Sequence, residues 1–274
     1  DGNLKAAFFL NLGFTIVEVI GGVFTNSVAV LSDALHDFGD SLSIGLAWYF
    51  QKLSEKGRTK TYSYGFKRFT VLAAIINSMI LLIGSVIILI HAIPRLLEPE
   101  VTDGEGMFYL SVLGIIVNGL AVWKMKDGQN LNERTVKVHL LEDLLGWVAI
   151  LLGSIAIWLF DLYILDPLLS IGIAIFITVN AFKAFKEGIL IFLQATPKSI
   201  HIEEITERLK AVEEVSDVHD CHAWSLDGEN DVITLHLVLK GNYSLKEQAN
   251  IKTKVRDTLN FEHAHITIEL ESAD

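Results

Sequence analysis

The sequence has little cysteine and little proline, with one cysteine (Cys221) and four prolines in 274 residues. A single cysteine excludes an intrachain disulfide, and with it a small secreted scaffold that depends on disulfide bonds. Charged residues are also sparse, at 20%, and the net charge of −11 at pH 7 argues against nucleic acid as a partner. Hydrophobic residues make up 51% of the chain, which excludes a disordered protein.

The hydrophobic residues are clustered into runs that reach the ~20 residues needed to cross a bilayer. Together with a mean hydropathy of +0.43, these runs predict an α-helical membrane protein. We predict six transmembrane helices, at residues 4–24, 27–53, 65–93, 107–125, 135–160 and 166–194. Pro94 and Pro99 are expected to end the third helix, and Asp166 to be the N-cap of the sixth, with Pro167 as its first helical residue.

Basic residues are concentrated in alternate loops. They follow the second helix, lie between the fourth and fifth, and surround the end of the sixth, whereas the loop after the third helix contains only Arg95. Because cytoplasmic loops carry the excess of Lys and Arg, both termini are predicted to be cytoplasmic. The expected location is a membrane, with the bacterial inner membrane favoured over an organelle by the compact length.

The chain after residue 196 has a different composition. From Lys198 onward it contains 8 Lys and Arg against 16 Asp and Glu, and it holds six of the nine histidines. Its periodicity predicts helices at 199–212 and 244–260 and strands at 215–226, 231–239 and 265–270, in the order α-β-β-α-β. We therefore predict a transmembrane domain at 1–196 and a small α+β domain at 197–274.

Two of the predicted transmembrane helices carry ionisable residues within the membrane-spanning part. The second helix has Asp33, His36, Asp37 and Asp40 within about 100° of arc, and the fifth has His139, Glu142 and Asp143. Each helix contains one His-x-x-x-Asp motif, whose two members lie one turn apart on the same face. Two imidazole nitrogens and two carboxylate oxygens suit tetrahedral Zn²⁺, whereas Cu(I) selects thiolates and Mg²⁺ and Ca²⁺ select oxygen ligands.

An alternative is that these groups only hydrogen-bond or pair between helices. Packed carboxylates repel one another and need a proton or a cation in the same site, which favours the metal. Asp33, Asp37 and Glu18 are candidates for supporting the ligands or for the path of an ion or proton. A purely structural role, with the carboxylate satisfied by a neighbour or by solvent, stays open for each of them.

These motifs resemble those of the cation diffusion facilitators. Residues 27–40 (SVAVLSDALHDFGD) are similar to the second-helix signature of that family, and residues 218–226 (VHDCHAWSL) to its tail signature. The likeness covers nearly the whole chain. It implies six transmembrane helices with a cytoplasmic ferredoxin-like domain, and a homodimer that exports Zn²⁺ in exchange for protons, with Cd²⁺ or Co²⁺ also carried by some members.

The resemblance also implies two sets of metal ligands. The transport ligands that match are His36, Asp40, His139 and Asp143. In the tail domain the candidates for a regulatory zinc are His219 or His222, together with His236 and Glu271. The alternative for the tail is a set of scattered, solvent-facing histidines.

Two features depart from the family pattern. Residues 64–68 read YGFKR and residues 126–134 contain no histidine, so we predict no metal site before the third helix and no zinc capture by the loop after the fourth. A zinc protease would require His-Glu-x-x-His, which is absent. A divalent cation channel and a membrane-tethered metal sensor stay open as alternative functions.

Overall fold

The computed structural model describes residues 2–54, 57–124 and 131–272. Within these ranges, only the backbone is described at helical residues 2–7, 47, 51, 54, 121–122, 124 and 131–140. The chain forms two compact units, residues 1–49 with 76–185 and residues 50–75 with 186–274. Each unit is described by itself below, and the predicted domain boundary after residue 196 stays a prediction.

Among the described residues up to 192 there are six long helices, in the places where six were predicted. They are α1 (Gly2–Thr25), α2 (Val28–Ser54), α3 (Arg68–Leu97), α4 (Gly104–Lys124), α5 (Leu131–Phe160) and α6 (Leu165–Phe192). Of the described residues, four stretches are long and apolar enough to cross a membrane: Phe8–Thr25, Arg68–Leu97, Leu141–Phe160 and Leu165–Phe192. In α4 the apolar stretch is shorter, Gly104–Leu120, and α2 is more polar because its ionisable residues lie in the middle of the helix.

The core of the first unit is small relative to its exposed apolar surface. Met107, Trp147 and Ile150 are almost completely buried in one cluster. Large hydrophobic side chains such as Ile83 and Leu152 are more than half exposed on the outside of the helices. An apolar outer surface of this extent is that of a protein whose helices contact lipid.

The end of α3 differs from the prediction. The helix does not stop at Pro94 but continues to Leu97, and the Glu98 amide donates a hydrogen bond of 3.0 Å to the carbonyl of Pro94. Proline removes its own amide donor from a helix and its ring crowds the carbonyl four residues earlier, but the amides that follow it are unaffected. Because Pro94 lies one turn from the end, the bonds that follow it can still form.

The start of α6 also differs. Asp166 lies within α6, which begins at Leu165, and its carboxylate caps α2 instead. It accepts hydrogen bonds from the Ser27 hydroxyl (2.6 Å) and from the amides of Val28 (2.9 Å) and Ala29 (3.2 Å). The Asp-Pro pair predicted that Asp166 would cap its own helix. Its carboxylate instead makes a long-range contact with the start of α2.

The second unit contains the tail, with the element order that the periodicity predicted. Its elements are α7 (Ile202–Lys210), β1 (Val215–Ser225), β2 (Asp231–Leu239), α8 (Leu245–Leu259) and β3 (Ala264–Ser272). The sheet order is β1-β2-β3, with β1 and β2 antiparallel and β2 and β3 parallel. Leu209 of α7 and Val255 of α8 are fully buried in one core with residues of all three strands, so both helices pack against the sheet. The finer ferredoxin-like classification stays a prediction.

Candidate metal centres

The first cluster joins α2 to α5. His36 and Asp40 lie one turn apart on α2, and Asp143 comes from α5. The His36 Nε2 atom lies 3.4 Å from Asp143 Oδ1 and 3.8 Å from Asp40 Oδ2. One ligand atom from each of the three residues lies within 4.8 Å of the other two, which is close enough for all three to bind one ion.

His139, the fourth predicted ligand, belongs to α5 one turn before Asp143, but its side chain lies outside the described residues. The helix spacing puts positions 139 and 143 on the same face of α5. Its role as a ligand stays a prediction.

A cavity of about 310 Å³ opens next to this cluster. Asp33, His36, Asp143 and Phe176 are among its lining residues, and the His36 ring lies edge-on to the Phe176 ring with the centroids 6.2 Å apart. Glu142 also lines the cavity and is exposed. The cluster therefore borders a cavity large enough for water and is not sealed inside the helices.

Three further carboxylates are buried in the same unit. Glu18 of α1 is 1% exposed, and Asp33 and Asp37 of α2 are each 5% exposed. Neither Glu18 oxygen has a hydrogen-bond donor among the described residues, and the Asn11 amide that reaches Asp37 donates to its backbone carbonyl, at 3.0 Å. Buried acidic groups with so few donors need either a bound proton or a nearby cation.

The second cluster lies on the sheet of the tail. His219 of β1 is paired in register with His236 of β2, and their ring centroids are 5.3 Å apart. Glu271 of β3 bridges them, with Oε1 2.8 Å from His236 Nδ1 and Oε2 2.9 Å from His219 Nε2. Ligand atoms of these three residues also lie within 4.8 Å of one another.

The structure brings His219, not His222, to this cluster. The His222 Nε2 atom lies 2.9 Å from Oδ1 of Asp220, whose other oxygen lies 3.6 Å from His236 Nε2. Asp220, which the sequence analysis did not single out, has a φ of 48°, and the strand register shifts between His219 and His222. A bulge of this kind redirects the side chains that follow it and cannot be predicted from alternation alone.

The hydrogen bonds of the tail cluster shift two pKa values in opposite directions. The bond to Glu271 raises the pKa of His236, and the bonds from His236 and then His219 lower the pKa of Glu271. Each partner stabilises the charged form of the other. Protons and a metal ion therefore compete for His236 at this cluster.

Comparison with known proteins matches two parts of the chain to two family models. A family model of the cation efflux transmembrane domain matches residues 4–193, and a model of the cytoplasmic domain of cation efflux proteins matches residues 197–273. The chain belongs to the cation efflux family, the cation diffusion facilitators. It is therefore an integral membrane protein whose general function is the efflux of metal cations.

Relatives in this family align along almost the whole chain. The cadmium, cobalt and zinc/H⁺-K⁺ antiporter of Bacillus subtilis is 35% identical, covering 98% of this chain and 88% of its own length. The zinc transporter ZitB of Escherichia coli is 32% identical, over 98% of this chain and 87% of its own length. The metal cation efflux system protein CzcD of Cupriavidus metallidurans is 28% identical, over 100% of this chain and 87% of its own length.

Proposed function

We propose that this protein exports Zn²⁺ from the cytoplasm in exchange for protons, with Cd²⁺ and Co²⁺ as further substrates. The observation that carries the proposal is the cluster of His36, Asp40 and Asp143, whose ligand atoms lie within 4.8 Å of one another in an apolar helical unit. His139 would complete a tetrahedral set of two nitrogens and two oxygens, which suits Zn²⁺. The names of the relatives as zinc, cadmium and cobalt transporters support this choice of metals.

The membrane arrangement in the proposal is six spans with both termini in the cytoplasm of a bacterial inner membrane. α2 can span although it is polar, because ionisable residues in spanning helices face the bundle and not the lipid. The concentration of Lys and Arg in alternate loops supports the orientation. The match to the cytoplasmic-domain model supports a homodimer assembled through the tail.

Proton exchange follows from the chemistry of imidazole. Only neutral imidazole binds a metal, and an unperturbed histidine loses its proton near pH 6.5. On the cytoplasmic side, neutral His36 and His139 bind Zn²⁺ with the two carboxylates. Once rocking of the helices opens the site to a more acidic side, protons compete for the same groups and release the ion.

The tail cluster is proposed to hold a regulatory Zn²⁺. Its donor atoms fit this ion, because two imidazoles and one carboxylate already converge on one point of the sheet. The residues in this role are His219, His236 and Glu271.

The test is zinc flux into proteoliposomes that contain a zinc-sensitive dye. We expect Asp143→Asn and His36→Ala each to reduce the initial rate at least tenfold, because each removes one ligand of a shared site. His91→Ala is the matched control, since His91 is an exposed histidine on α3 whose Nδ1 atom lies 2.8 Å from the carbonyl oxygen of Ile87 in its own helix. We expect its rate to stay within twofold of the wild type.

The same vesicles separate the proposal from its alternatives when a pH gradient is imposed at zero membrane potential. An acidic lumen should accelerate zinc uptake. A wild-type flux that does not respond to the gradient, accompanied by single-channel currents, would indicate a channel. Zinc binding that depends on Asp143 without any flux would indicate a membrane-tethered sensor.

A further inference from the structure

The second compact unit contains a groove that neither metal cluster uses. A cavity of about 360 Å³ lies between the segment that joins α2 to α3 and the start of the tail. Its lining residues are Thr61, Tyr62, Ser63, Tyr64, Gly65, Lys67, Arg68, Phe69, Gln194, Trp224 and Leu226. An adjoining cavity of about 210 Å³ shares Tyr64 and Lys67 and adds Arg58, His263 and His265, together with one carboxylate, that of Asp231. We call these two cavities together the basic groove.

The cations of the basic groove form no ion pair with any residue that the structure describes. Arg58, Lys67 and Arg68 have no ion pair and no side-chain hydrogen bond within the described residues, although Lys67 and Arg68 are half-buried. Elsewhere in the same unit, by contrast, Lys254 and Lys210 are paired with carboxylates at 2.9 and 2.7 Å. Partly desolvated, unpaired cations that converge on one space favour an anion from outside the chain.

The segment that carries these cations is held in one shape. The rings of Tyr62, Phe66 and Phe69 contact one another with centroids 5.0 to 5.6 Å apart, and the Tyr62 and Thr59 backbones form a turn. The Tyr64 ring lies edge-on to His265 of β3 at 5.9 Å. Because the ring contacts already order this segment, an incoming anion has to order only the side chains that bind it.

The groove lies at the ends of two helices that are able to cross a membrane. Arg68 is the first residue of α3, and Gln194 follows the end of α6 by two residues. The ends of spanning helices lie at the level of the lipid head groups, where basic pockets bind acidic lipids.

We propose that the basic groove binds a phosphate-bearing anion, the chemistry that an acidic phospholipid head group and free phosphate share. The planar guanidinium of Arg68 can donate two parallel hydrogen bonds to phosphate oxygens, and Lys67 supplies a second charge. The hydroxyls of Ser63 and Tyr64 are further donors. The volume suits a head group, since cavities for small ligands begin near 300 Å³.

The test uses the purified full-length protein in detergent with zwitterionic lipid. Native mass spectrometry would measure binding of phosphatidylglycerol against phosphatidylcholine, and inorganic phosphate would be added as a competitor. The variants are Lys67→Gln/Arg68→Gln and, because Arg58 is exposed and its loss should not affect folding, Arg58→Gln alone. The matched control is Lys183→Gln/Lys186→Gln, which removes the same charge from exposed lysines of α6.

We expect phosphatidylglycerol to bind preferentially, with affinity at least tenfold lower in Lys67→Gln/Arg68→Gln, about threefold lower in Arg58→Gln and unchanged in the control. No displacement by millimolar phosphate would identify the lipid as the source of the anion. Direct binding of phosphate with displacement of the lipid would identify free phosphate. The proposal is overturned if neither anion binds the wild type, or if the control loses as much affinity as the groove variants.

Discussion

At the scale of single residues, Asp166 fixes the start of the helix that carries two of the proposed ligands. Its side chain is 0% exposed and accepts hydrogen bonds from Ser27, Val28 and Ala29. The first amides of a helix have no partner within it, and a negative charge there also interacts favourably with the helix dipole. Asp166 of α6 therefore connects its own helix to the start of α2, the helix that carries His36.

We predict that Asp166→Asn destabilises the protein by about 1–2 kcal/mol, because the amide keeps the shape but loses the charge that stabilises the helix terminus. Thermal unfolding in detergent would measure the change. Asp161→Asn is the matched control, since Asp161 is exposed and its side chain accepts a hydrogen bond from the neighbouring Tyr163 hydroxyl, at 2.8 Å. Equal shifts in both variants would contradict the role of Asp166 as a cap.

The two metal clusters show which contacts can be predicted from sequence. His36 and Asp40 are neighbours because helix geometry alone puts residues four apart on one face. The tail cluster depends on strand register and on a bulge at Asp220, which are long-range features, so the sequence left His219 and His222 as equal candidates. The partner of Asp166 is likewise more than a hundred residues away, and the local signal suggested a different cap.

At the scale of elements, Gly114 allows α4 to approach α5 closely. A Cβ atom on Gly114 of α4 would overlap the indole of Trp147, which is 1% exposed. Trp147 lies one turn after Asp143 on α5, so the close approach of these helices also fixes the position of a proposed ligand. The bounds of both helices were predictable to within a few residues from their apolar length, but this interlocking of side chains was not.

We predict that Gly114→Ala destabilises the protein by about 1–3 kcal/mol, the usual cost of overpacking a filled core, and weakens zinc binding at the same time. Gly119→Ala is the control on the same helix, because its added methyl group would meet its nearest neighbour, Leu144, at 4.0 Å. Thermal unfolding and zinc titration of both variants would measure the two effects. Normal stability and zinc affinity in Gly114→Ala would show that the helices can separate without cost to the site.

At the scale of the whole molecule, the two clusters belong to different compact units. His36, Asp40 and Asp143 lie in the first unit, and the three tail ligands lie in the second. Sites that share no residues contribute additively to binding unless a conformational change couples them. Regulation of transport by the tail would therefore appear as a departure from additivity.

We predict that the wild type binds two zinc ions per chain, and that Asp143→Asn and His236→Ala each lose one of them because each removes a ligand of a different cluster. The double variant should lose both, and equilibrium dialysis with metal analysis would measure the stoichiometry. His222→Ala is the control, because the His222 imidazole contacts Asp220 and is not among the converging ligands. If His222→Ala lost a zinc ion and His219→Ala did not, the tail would bind metal through a different strand register. An affinity at the remaining site that changes in either single variant would demonstrate coupling between the tail and the transport site.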